Sequence, residues 1–82
     1  MQISLEVTMH AHGTRFLQKG VFPVNSKKFH QNPDHAAAQT AYEWIQKIKK
    51  QTGYATDTEI VKVVYNENIE ITQLVKKMEY PL

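Results

Sequence analysis

Residues 2–24, QISLEVTMHAHGTRFLQKGVFPV, decide how this chain folds. Ile3, Leu5, Val7, Met9 and Ala11 alternate with Gln2, Ser4, Glu6, Thr8, His10 and His12. A period of two marks a strand with one buried and one wet face. Gly13 supplies the positive φ that a two-residue hairpin turn needs, so His12 and Gly13 form the turn and Ala11 faces Thr14. The rest of the register follows: Met9 opposite Phe16, Leu5 opposite Gly20, Ile3 opposite Phe22, and Glu6 opposite Lys19 as a cross-strand charge pair. A slip of one residue would undo all of these matches together. Strands are therefore expected over 2–11 and 14–24. Pro23 suits a strand end or a sheet edge, and Gly20 leaves either a gap for a bulky side chain from a packing helix or a bulge.

Downstream, Asn25 to Gln31 reads as a polar connection. Asn32, Pro33 and Asp34 then give a helix start as N-cap, first helical residue and dipole-favoured acid. Ala37, Ala38, Ala41, Trp44, Ile45 and Ile48 form one apolar stripe, so a helix over about 33–52 packs on the odd-numbered side of the hairpin. Lys47, Lys49 and Lys50 suit the negative end of the dipole on a solvated face, and Gly53 is the stop. A third strand follows Asp57-Thr58 and runs from Ile60 to Tyr65. Asn66 to Asn68 is a turn, Ile69 to Ile71 a short fourth strand, and Leu74, Val75 and Met78 lie on a helix of about two turns with Thr72 as N-cap, ended by Pro81. The expected fold class is α+β: a small antiparallel sheet with the long helix on one face, as a single domain over residues 1–82.

Composition narrows function by exclusion. The chain has 82 residues, 10 Lys plus Arg against 8 Asp plus Glu, and no cysteine. A domain of this size has little volume for a closed, water-free active site. Without cysteine there is no disulfide framework, thiolate nucleophile or cysteine zinc site, and the cytoplasm is the expected compartment. No apolar run is long enough to cross a bilayer and no leader pattern opens the sequence, so no membrane partner is expected. His10 and His12 share a strand face and could hold a metal with His30 or His35, but no acid or thiol completes the set, so no metal or cofactor is predicted. Ser4 and Ser26 lack a nucleophile context and the three glycines stand apart, so no catalytic residue is assigned and the chain is expected not to be an enzyme.

What remains is binding. Leu17 and Val21 are apolar members of an otherwise polar sheet face, beside Arg15 and Lys19. Further basic residues lie at Lys27, Lys28, Lys47, Lys49 and Lys50, and Tyr42, Phe29 and Tyr54 are the candidate contact aromatics, with satellites of the core the favoured reading of all three. The expected function is a small non-enzymatic module that docks on a protein partner through such residues. The alternative is binding of a nucleic-acid backbone by the Arg/Lys patches, although the signatures of the common RNA- and DNA-binding modules are absent. Phe16, Phe22, Trp44 and Tyr65 are read as core. The Val61 to Tyr65 run is either the sheet centre or an edge that seeks a second copy, which leaves monomer and homodimer equally open.

Overall fold

The computed structural model describes residues 1–11, 13–52 and 58–79. His12, Gly53, Tyr54, Asp57 and Pro81, each given a place above, lie outside those residues. The elements run β1 (Gln2–Ala11), β2 (Thr14–Pro23), α1 (Ser26–Gln31), α2 (Pro33–Thr52), β3 (Glu59–Tyr65), β4 (Ile69–Glu70) and α3 (Thr72–Glu79). The four strands form one antiparallel sheet in the order β2-β1-β3-β4. The α+β expectation holds, with the long helix on one sheet face.

The hairpin has the register read from the sequence, from Ala11 opposite Thr14 through to Gln2 opposite Pro23. Gly13 takes φ +74°, the left-handed conformation required there. Gly20 resolves into a packing gap rather than a bulge, because the β1–β2 ladder is unbroken. A Cβ at Gly20 would stand 2.7 Å from the Phe22 ring and 3.5 Å from Trp44. The two rings meet at 4.7 Å over the vacant position. The sheet's one irregularity lies between β1 and β3, where Thr8 opposes Lys62 but Met9 opposes Ile60. Val61 is the extra residue of this bulge, and its insertion turns both Ile60 and Val63 to the inner face.

The core lies between that inner face and the helices. Ile3, Leu5, Val7 and Met9 of β1 meet Ala37, Ala38, Ala41, Ile45 and Ile48 of α2, all buried. The alanines at the start of the stripe let α2 approach closely, and Trp44 fills the wider end over β2. Val63, Tyr65, Ile71 and Val75 close the core on the side of α3. Phe16, Phe22 and Trp44 are half-buried and pack at the margin of the core rather than inside it.

Two local features differ from the sequence reading, and a third decides between its alternatives. Residues 26–31 are not a plain connection but a short helix, started by Asn25, whose side chain accepts from the Lys28 N–H at 3.1 Å. Asn32 closes it and opens the next: its N–H donates to the Lys28 carbonyl at 3.1 Å and its Oδ1 accepts from His35 N–H at 3.2 Å. α1 brings Phe29 edge-on to Tyr65, with ring centroids 6.2 Å apart. Thr72 is the first residue of α3 rather than its cap; its hydroxyl accepts from Val63 N–H at 3.0 Å and donates to Glu70 at 3.0 Å. Of the two alternatives for the Val61–Tyr65 run, the sheet centre holds: β3 lies between β1 and β4, with Val64 and Tyr65 paired to β4 and Val63 bonded to Ile71 N–H and Thr72 Oγ1.

Candidate functional site

Among the described residues the helices cover one face of the sheet and leave the other open. Alternation alone decides which side chains stand there: even-numbered residues of β1, odd-numbered residues of β2, and Glu59, Lys62 and Val64 of β3. The register arranges them in cross-strand rows. Arg15, His10 and Glu59 form one, Leu17, Thr8 and Lys62 the next, and Lys19, Glu6 and Val64 a third. Val21, Ser4 and Asn66 end the series, with Ser4 bonded to Asn66 in both directions: its N–H donates to Asn66 Oδ1 at 3.3 Å and its carbonyl accepts from Asn66 N–H at 3.0 Å. Glu67 overhangs two shallow open depressions, one beside Arg15 and Leu17, the other beside Lys19 and Val21.

Leu17 and Val21 are the apolar exposures of β2, 48% and 63% accessible. Both flank Lys19 on the outermost strand. The backbone adds a second property. In an antiparallel ladder alternate residues direct N–H and C=O to opposite sides. Ser4 bonds to Asn66, the residue after β3, and Met1 accepts from the N–H of Val24, the residue after β2, at 2.8 Å. Odd residues of β1 therefore ladder with their even partners in β2, and the backbone groups of Arg15, Leu17, Lys19 and Val21 point away from the sheet. Pro23 belongs to the same outward set, so its missing N–H costs the ladder nothing. The outward side chains and outward backbone groups thus sit on the same residues.

The other predicted contact residues are dispersed. Lys27 and Lys28 are exposed on α1, and Lys28 faces a shallow groove that also holds Glu43. Lys47 and Lys50 are exposed on α2, in the layer on the opposite side of the sheet from Arg15 and Lys19. Lys49 departs from the solvated face expected for it: it is only 7% exposed, and burial holds its ammonium below the ordinary lysine range. Tyr42 is half-buried against the core rather than displayed. Among the described residues no three His, Asp or Glu side chains gather as metal ligands. Lys62, Val64 and Glu67 of the open face escaped the sequence reading, since which face of β3 is wet depends on the bulge at Val61. The signals for the free edge were Pro23 and the charges at Arg15 and Lys19.

No family model, no curated protein and no solved structure matches this chain. Among the described residues no helix is long and apolar enough to cross a membrane.

Proposed function

We propose that this protein is a non-enzymatic docking module that binds a protein partner on the open sheet face along β2. One observation carries the reading: among the described residues Leu17 and Val21 stand exposed on a face that no element covers, on the strand at the sheet's edge. Monomeric proteins scatter single apolar residues on their surfaces, but two on one edge strand with free backbone groups beside them make a contact surface. The absence of cysteine in the chain fits work in the reducing cytoplasm.

Nucleic-acid binding is the weaker reading because the cations are divided. Arg15, Lys19 and Lys62 share the open face with Glu6 and Glu59, whereas Lys47 and Lys50 belong to the helix layer behind it. A phosphate-tracking surface needs its positive charges on one side.

The two readings separate under salt. Capture by the immobilised protein should persist as salt is raised and disappear in the Leu17→Ser/Val21→Ser variant, whose substitutions lie on the exposed face. Recovery of nucleic acid alone, or binding of a single-stranded or duplex oligonucleotide that falls steeply with added salt, would overturn the docking reading.

A further inference from the structure

Resting on the docking reading, we infer that the partner presents an extended segment that adds to β2 as a fifth strand. On its outward face that segment carries acidic and apolar side chains in alternation. The backbone of β2 requires the first part. Arg15, Leu17, Lys19 and Val21 offer a row of N–H and C=O groups turned off the sheet, and a strand laid alongside satisfies them in sequence. The opposite edge is a poor alternative, because β4 has two residues.

Charge chooses the chemistry. Along β2 the open face reads cation, apolar, cation, apolar, with no acid on the strand itself. Residues directly opposite on adjacent strands lie close enough for like charges to repel and opposite charges to attract. The complementary segment therefore places an acid opposite Arg15 and opposite Lys19, and an apolar side chain opposite Leu17 and Val21. Its alternate side chains fall on the inner margin, where Phe16 and Phe22 are only half-buried.

A second copy of this chain fits the edge less well. Twofold pairing must set odd residues against odd residues. Centred on Leu17 it opposes Arg15 with Lys19, and centred on Lys19 it opposes that lysine with its own copy. Centred on Gln18 it avoids direct clashes but leaves the cations of both copies on adjacent diagonals. The charges that discourage self-pairing are the ones that select an acidic strand.

The probes are blocked synthetic peptides about ten residues long, long enough to span the strand. One repeats Glu-Thr-Val-Thr and the other Lys-Thr-Val-Thr, so that one face of each alternates charge and valine. The readout is amide hydrogen exchange at single residues. The glutamate peptide should slow exchange at Arg15, Leu17, Lys19 and Val21 by about tenfold or more, while Phe16, Gln18, Gly20 and Phe22, already bonded to β1, change little. The lysine peptide should produce no such alternation. Leu17→Pro removes an outward N–H while leaving both cations, Arg15 and Lys19, in place, and should abolish the protection. Arg15→Glu/Lys19→Glu leaves every backbone group in place and should transfer the preference to the lysine peptide. Equal response to both peptides, or none to either, overturns the inference. So does a doubled sedimentation mass with the odd-numbered amides already protected in the free protein, which would give the edge to a second copy. If the peptides fail while capture of a partner is still lost in Leu17→Ser/Val21→Ser, the strand-addition inference falls and the docking reading stands. If that capture is absent as well, both fall.

Discussion

Tyr65 joins three parts of the molecule through one side chain. Its ring is buried, Phe29 meets it edge-on, and its hydroxyl donates to Asp34 Oδ1 at 2.6 Å. Burial first, and then the hydrogen bond and negative charge of Asp34, push the phenol up to about 12. Because the folded value lies above the ordinary one, the native state holds the phenolic proton more tightly. This stabilisation is complete below about pH 10 and is lost as pH rises toward 12. Tyr65→Phe should cost about 1–2 kcal/mol at neutral pH, the range for a hydrogen bond to a charged acceptor with partial compensation by water. Denaturant melts of both proteins between neutral pH and pH 12 check the rest: the gap between them should close with alkalinity. A second residue-scale expectation concerns the turn after β3. Glu67 adopts φ +73°, a conformation that an L side chain enters at a cost and glycine enters freely. Glu67→Gly should therefore raise stability by about 0.5–1 kcal/mol in urea unfolding. Asn66, at φ +49°, is a different case, because its amide and side chain both bond Ser4, and glycine there would lose the side-chain contact.

At the scale of elements, the hairpin and α2 are set by local chemistry and by the fit between them. Gly20 is where they meet. Adding a methyl group forces the Phe22 ring off Trp44, so Gly20→Ala should destabilise by about 1–2 kcal/mol, against the small gain expected for alanine over glycine in a strand. Thermal melts with near-ultraviolet circular dichroism would register both the loss and the displaced tryptophan. The junction of α1 and α2 rests on Asn32, which ends one helix with its backbone and starts the other with its side chain. Asn32→Ala should cost about 1 kcal/mol, measured by chemical denaturation, through the lost cap of α2. The six-residue α1 escaped the sequence reading because a helix of that length has no room for a hydrophobic period. Its Asn25 start signal was present, but it preceded a polar run with a single aromatic, Phe29, whose role emerges only when Tyr65 is placed beneath it.

Across the whole molecule, the position of β3 governs what can be done to the protein. Val63 is fully buried in a strand paired on both sides, so Val63→Lys should unfold the protein, a loss of more than about 3 kcal/mol visible as a flattened melt, rather than act on any association. Substitutions that probe association belong on β2. By itself the sequence determined the hairpin, its register and its inward face, because an alternation of ten residues closed by a glycine turn fixes one alignment, which sets Phe16, Gly20 and Phe22 on the face of the apolar side chains of β1. It also determined the extent and buried stripe of α2, through the Asn32-Pro33 start and a repeat that matches the helical period. The strand order β2-β1-β3-β4 was decided only by the tertiary structure, because pairing between distant segments leaves no period in either of them. From that order follow the burial of Val63, the free backbone of β2 and the wet side of β3 beyond the Val61 bulge. Lys49 follows the same logic: its place in a run of lysines suggests a solvated helix end, yet burial is set by what packs over a position, which no neighbour in sequence specifies.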